Sequence, residues 1–161
     1  MPLYRAAELR RIEAIAADQP LMQRAGQAAA ELAARLCRDD GGAILVLAGP
    51  GNNGGDAFEA ACRLREKHFE VHTVFPSDPA RLPRDAAAAY ARFIAAGLQT
   101  HASIPAGRRW SLIIDGLFGI GLTRAIAEPY ASLIDTANRL ADTDHCPLLA
   151  LDCPSGLNAD S

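Results

Sequence analysis

Residues 43–48, Ala-Ile-Leu-Val-Leu-Ala, form an unbroken apolar run closed by Gly41-Gly42 on one side and Gly49-Pro50-Gly51 on the other. A run this short, branched and glycine-bounded reads as a strand buried on both faces, the environment of a parallel sheet covered by helices. The flanking pattern agrees. Helical stretches are expected over 4–18 and 20–38, the second opened by Asp18 and Pro20 and carrying Leu21, Met22, Ala25, Ala29, Leu32, Ala33 and Leu36 at helical spacing. After the first strand, helices are expected at 56–67, 84–96 and 129–140, alternating with strands at 69–75, 98–102, 111–115 and 147–152. Strands separated by helices of this length imply an α/β chain, a Rossmann-like three-layer α/β/α sandwich around a mostly parallel sheet.

Size and charge narrow the function classes. A chain of 161 residues makes one domain, and at about 150 residues a fold buries roughly 70% of its unfolded surface. With 16 Lys plus Arg against 19 Asp plus Glu, the net charge of −3 argues against a basic nucleic-acid-binding surface. No apolar run approaches the ~18 residues that span a bilayer, and the amino terminus MPLYRAAELRRIEA is charged throughout, unlike a secretory signal. Cys37, Cys62, Cys146 and Cys153 form no C-x-x-C and no zinc spacing with the scattered histidines, so they read as free thiols of a cytoplasmic protein.

In an open parallel sheet, ligands collect beyond the carboxyl ends of the strands. Three such ends are unusual here. The first loop is Gly49-Pro50-Gly51-Asn52-Asn53-Gly54-Gly55-Asp56, where glycines permit close backbone approach and the following helix start favours phosphate. Gly49, Gly51 and Gly54 satisfy G-x-G-x-x-G, a weak signal by itself, while the acidic residue expected after the second strand is missing. There is no Gly-Lys-Ser/Thr, which excludes a phosphate loop of the ATPase type. The second loop, Asp115 to Arg124, begins with a carboxylate at the end of an apolar strand and meets Gly119 and Gly121. The third, Asp152-Cys153-Pro154-Ser155-Gly156-Leu157-Asn158, again ends a strand with Asp and presents the Ser155 hydroxyl in a tight turn. One such Asp is as readily an ordinary turn or helix cap; three on one sheet edge are harder to explain that way. Asn53, Asp115 and Ser155 together offer several oxygens with one formal charge, which suits a weakly held monovalent cation. Nothing around Ser155 matches a nucleophile elbow.

The segments GPGNNGGDA (49–57), DGLFGIGL (115–122) and DCPSGLNAD (152–160), with LMQRAG (21–26) ahead of them, resemble the YjeF N-terminal domain family, the NAD(P)H-hydrate epimerases, in family order and across essentially the whole chain. The resemblance implies a Rossmann-like fold, a nicotinamide nucleotide hydrate as substrate (NADHX or NADPHX), and a bound potassium ion. Position by position, it implies that Asn52, Asn53, Gly54, Gly55 and Asp56 contact the substrate, with Asn53 also on potassium. It further implies that Asp115 binds potassium, that Gly119, Ile120, Gly121, Leu122, Thr123, Arg124 and Ala125 hold the nucleotide, that Asp152 binds substrate and that Ser155 completes the ion site. A homodimer is implied, as is fusion to or cooperation with a hydrate dehydratase. Ala57 stands where the family usually has Gly, and Cys153 replaces a more usual aliphatic residue. Similar domains continue for several elements past the third motif, so residues 1–161 are expected to be one such domain, incomplete at its C-terminal end.

The activity so implied is an isomerase exchanging the R and S hydrates of NADH and NADPH. Asp115 is the favoured acid/base, with Asp152 as an orienting partner and the two roles exchangeable. The alternative is a non-catalytic nucleotide- or RNA-binding interaction module of the same fold, against which the three complete polar loops argue. An ordinary dehydrogenase built on G-x-G-x-x-G would need a second domain for which the length leaves no room.

Overall fold

The computed structural model describes residues 8, 11–12, 15–16, 19–38, 41–122 and 125–157. The helix expected over 4–18 lies largely outside them. The described elements are α1 (Leu21–Leu36), β1 (Ala43–Ala48), α2 (Asn52–Glu66), β2 (Val71–Val74), a short 3-10 turn (Pro79–Arg81), α3 (Arg84–Ala95), β3 (Thr100–His101), β4 (Trp110–Gly116), α4 (Tyr130–Asp144) and β5 (Leu148–Ala150). The sheet has five strands in the order β3-β2-β1-β4-β5, and every neighbouring pair is parallel.

All six residues of β1 are buried, and their alternation feeds two cores. Ile44, Val46 and Ala48 join Leu112 and Ile114 of β4 beneath α2 and α3, while Ala43, Leu45 and Leu47 join Trp110 and Ile113 against Leu133 and Ala137 of α4. The register between β1 and β4 advances by one residue after the pair Ala43 and Trp110, which lets Trp110 and Ile113 share the α4 face. Asp115 follows Ile113 at strand spacing and so stands on that face. Helices on both faces give the expected three-layer sandwich.

The observed strands beyond β1 and β4 are shorter than the apolar patterns that predict them: 71–74 for 69–75, 100–101 for 98–102 and 148–150 for 147–152. The larger difference is at α2, which begins at Asn52 rather than Asp56, so the Asn-Asn-Gly-Gly segment is the first turn of a helix and not a loop. The stripe of α1 also differs. Gly26, Ala30 and Ala33 are the buried residues, while Leu32 and Leu36 are 37% and 40% exposed. A Cβ on Gly26 would overlap the Cβ of Glu59, so the glycine sets how closely α1 approaches α2. The helix packs chiefly on α2, with Ala30 and Ala33 in the same core as Ile44 and Leu112.

Two side-chain clusters lock α2 to α3. Phe58 meets Phe75, Tyr90 and Phe93 at centroid distances of 5.3, 5.2 and 5.2 Å. Nearby, the Glu59 carboxylate, only 3% exposed, pairs with Arg92, whose Nε donates at 2.7 Å and whose Nη2 also donates. On the other side, Trp110 N–H donates to Asp144 Oδ2 at 2.8 Å, tying the end of α4 to the start of β4.

Candidate functional site

The chain runs from β1 outward to β2 and β3, then returns to β4 on the other side of β1. That reversal opens a crevice at the carboxyl ends of β1 and β4, the place where such sheets bind ligands. Gly49 N–H donates to Gly116 O at 3.0 Å and Leu151 N–H to Asp115 O at 2.8 Å, so the ends of β1, β4 and β5 are laced together. The three loops expected to carry chemistry therefore leave the sheet side by side.

The glycines of the first loop serve different ends. A Cβ on Gly49 would overlap the Leu117 carbonyl, and one on Gly54 would overlap the Gly49 carbonyl. Gly55 is buried, its missing side chain giving room to Met22 of α1 and Ala86 of α3. These three are required by packing. Gly51, in contrast, has extended backbone and, among the described residues, nothing near its absent side chain. The first N–H groups of α2 lack partners within the helix by geometry, which makes its start a fit for an anion. Asn52 is exposed there and Asp56 is half-buried. Asn53 is the unusual member: both its Oδ1 and Nδ2 are buried, and neither has a hydrogen-bond partner among the described residues. An amide buried with no partner costs about 1–3 kcal/mol, so one at a ligand edge marks a place where something else completes it.

Asp115, 7% exposed, is held on both carboxylate oxygens. Oδ1 accepts from Leu117 N–H at 3.1 Å and from the Ser155 hydroxyl at 2.7 Å, and Oδ2 accepts from Ser155 N–H at 2.8 Å. Ser155 Oγ in turn accepts from Phe118 N–H at 3.0 Å. Gly116, the next residue, faces the opposite side, where a Cβ would lie 2.6 Å from Ala57 Cβ and 3.2 Å from the Asn53 carbonyl. Asn53 thus arrives from the α2 face and Asp115 with Ser155 from the α4 face, meeting at the sheet's end. The structure joins Asp115 and Ser155 directly and leaves the Asn53 amide unbonded to either.

Asp152 differs from Asp115. It is exposed, its backbone has φ +68°, and its Oδ2 accepts from Ile120 N–H at 2.7 Å. A Cβ on Gly119 would overlap that same carboxylate, which explains the glycine. Among the described residues, Oδ1 of Asp152 has no hydrogen-bond partner. Cys153 follows Asp152, and burial, then the charges of Asp152 and Asp115, push its thiol pKa up. Of the remaining residues assigned to the nucleotide, Gly121 and Ala125 are exposed and Leu122 half-buried, with its N–H on Gly119 O at 3.1 Å; Thr123 and Arg124 lie outside the described residues.

A cavity of about 430 Å³ reaches Asp115 and Ser155 from the α4 side, lined also by Leu47, Ile134, Ala137, Asn138, Leu148 and Leu157. The α4 residues and Leu148 carry no motif, and only the tertiary fold brings them here. Tyr130 and Ser77 are likewise absent from the sequence-level candidates.

The family described as YjeF-related protein N-terminus matches residues 18–161. A protein of Achromobacter xylosoxidans named NAD(P)H-hydrate epimerase is 46% identical, over 99% of this chain and 76% of its own length. One of the same name from Bordetella bronchiseptica is 47% identical over 100% of this chain and 69% of its own length. The Bifunctional NAD(P)H-hydrate repair enzyme Nnr of Escherichia coli is 37% identical, with 99% of this chain matching 31% of that protein. In fold, the crystal structure of yeast ynu0 superposes with a TM-score of 0.80 at 18% identity, covering 98% of this chain and 72% of the yeast chain. The chain belongs to the family of YjeF-related protein N-termini.

Proposed function

We propose that the chain is an NAD(P)H-hydrate epimerase that interconverts the R and S hydrates NADHX and NADPHX. The observation that carries this reading is the pair of unlike carboxylates at the β1/β4 crevice, in a chain whose relatives bear that name. Asp115 takes three protein donors across its two oxygens, whereas Asp152 keeps one oxygen on Ile120 N–H and has, among the described residues, no partner on the other. Epimerisation inverts one ring carbon, either by removing its C–H proton and returning one on the opposite face, or by protonating its hydroxyl so that the C–O bond breaks and water adds back on the opposite face with release of that proton; neither route changes the net composition. A carboxylate able to give and take a proton contributes about 10²–10⁴ in rate. The open oxygen of Asp152 suits that role, which makes Asp152 the acid/base and Asp115 the scaffold, the reverse of the order favoured by the sequence pattern.

The residues also fit a potassium ion. Asn53 Oδ1 is a buried oxygen with no partner among the described residues, and Asp115 contributes a single formal charge beside the Ser155 hydroxyl. Asn53, Asp115 and Ser155 would hold the ion, which when bound neutralises the buried carboxylate and fixes the loops around the substrate. The nucleotide's phosphates would meet the start of α2 and the Gly119–Ala125 segment. The same reading includes a homodimer, cooperation with a hydrate dehydratase, and a cytoplasmic location; none of the four cysteines forms a disulfide, and no described helix is long and apolar enough to cross a membrane.

Incubation with purified R-hydrate, followed chromatographically, should produce the S-epimer faster than the spontaneous rate; an unchanged rate overturns the reading. A melting temperature equal in potassium and tetramethylammonium chloride overturns the ion.

A further inference from the structure

The Ser77 hydroxyl and the Tyr130 phenol hydrogen-bond across 53 residues, joining the loop after β2 to the first residue of α4. The edge of the Tyr130 ring meets Phe118, with centroids 5.0 Å apart and planes at 75°. Phe118 is in the loop after β4, and its N–H is the donor to Ser155 Oγ at 3.0 Å. The same hydroxyl has one proton, which goes to Asp115 at 2.7 Å, the shorter and charge-assisted contact. The residue after Phe118 is Gly119, which abuts the Asp152 carboxylate. Moving Phe118 therefore disturbs the orientation of Ser155 and the contact that holds Asp152.

We propose that Tyr130, fixed by Ser77, is a positioning residue for the Asp115, Ser155 and Asp152 cluster and acts through Phe118. The phenol is half-buried, and burial raises its pKa while the Ser77 bond opposes the shift, so it remains a neutral hydroxyl able to share that bond at neutral pH. The aromatic edge-to-face contact supplies direction, because it sets the positive ring edge against the negative ring face, one of the two arrangements that ring pairs prefer to a face-to-face sandwich. Neither Ser77 nor Tyr130 touches the acids themselves. Their effect on the site runs through the placement of one loop backbone.

The kinetic arm of the test rests on the epimerase reading; the exchange arm does not. In the exchange arm, amide hydrogen exchange is followed by NMR in the wild type, Tyr130→Leu and Tyr130→Phe. Tyr130→Leu should speed exchange at Phe118 N–H and Ser155 N–H by about 10-fold or more relative to the β1 amides, while Tyr130→Phe, which keeps the ring, has a smaller effect. Equal protection at Phe118 in all three proteins overturns the proposal, whether or not any of them is active. In the kinetic arm, Tyr130→Leu should lower kcat about 10-fold with a much smaller change in KM, as expected for displaced rather than missing catalytic groups. Tyr130→Phe and Ser77→Ala remove the same bond, so each should have a milder effect and the double variant should match either single one. Additive losses overturn the Ser77 link. Should Tyr130→Leu fail to fold, the Phe and Ala variants carry both arms.

Discussion

Ser155 grips Asp115 twice, through its main-chain N–H to Oδ2 at 2.8 Å and its hydroxyl to Oδ1 at 2.7 Å, with Leu117 N–H supplying a third donor at 3.1 Å. All three groups donate, so an acceptor is required on both oxygens. Asp115→Asn keeps the shape but turns an NH₂ toward a donor, and it is therefore not the benign replacement that its shape alone promises. It should cost about 1–3 kcal/mol of stability, read as a lowered Tm in calorimetry. A Tm within error of the wild type would contradict the donor assignment.

Asp152→Asn should behave in the opposite way. Asp152 is exposed, and the Asn side-chain oxygen still accepts from Ile120 N–H, so the fold is retained. Epimerisation should fall by about 10²-fold or more, since only the titrating group is lost. A folded Asp152→Asn protein with full activity, measured by S-hydrate formation, would move the acid/base role elsewhere.

Within the first glycine loop, Gly49 and Gly51 should separate packing from binding. Gly49→Ala drives a Cβ into the Leu117 carbonyl and should destabilise by about 3 kcal/mol or more, as overpacking against backbone does. Gly51→Ala meets nothing among the described residues and should change stability by no more than about 0.5 kcal/mol. If a nucleotide phosphate sits over that loop, Gly51→Ala raises the KM for the hydrate while urea unfolding is unaffected.

Removing Arg92 leaves the Glu59 carboxylate, 3% exposed, without its ion partner. Arg92→Met should destabilise by about 1–3 kcal/mol, below the ~3–5 kcal/mol of a fully buried pair because Arg92 is itself 43% exposed and its side of the pair is screened by water. Adding Glu59→Gln should recover most of the loss, since the stranded charge is then gone. Urea midpoints of the wild type, Arg92→Met and the double variant measure it.

Burial, reinforced by Glu59 and Glu66, pushes the Cys62 thiol from 9.0 up to about 11. The folded state holds this proton more tightly than the unfolded state does. Its contribution to stability is therefore complete below pH 9 and is lost as pH rises toward 11. Between about pH 8 and pH 10.5 the wild type should lose more stability than Cys62→Ala, read from urea midpoints at both values. Parallel losses would place the thiol in contact with water.

The strands were legible in proportion to their apolar content. The AILVLA run matches β1 at both ends because six apolar residues between glycines suit little else, whereas β3 shrinks to Thr100–His101, where the pattern is weak. The start of α2 was misread for a physical reason. Asn and Gly are poor helix formers, so local propensity places Asn-Asn-Gly-Gly in a loop. Tertiary packing reverses this, because Gly54 fits beneath the Gly49 carbonyl and Gly55 beneath Met22 and Ala86 only when the chain is already helical. The buried stripe of α1 is Gly26, Ala30 and Ala33 for a similar reason, since closeness to Glu59 favours small residues over the larger Leu32 and Leu36.

The alternation of strand and helix, the parallel sheet and the residues at its carboxyl edge are all legible in the chain, because they follow from local periodicity and from residue types whose chemistry is their own. Which of those residues meet depends on the folded arrangement. Ser155 and Asp115 are 40 residues apart, Glu59 and Arg92 33, and Ser77 and Tyr130 53. No period of 2 or 3.6 carries such pairings. They arise from strand order, which brings the ends of β1, β4 and β5 together and leaves Asp115 buried under three donors and Asp152 exposed.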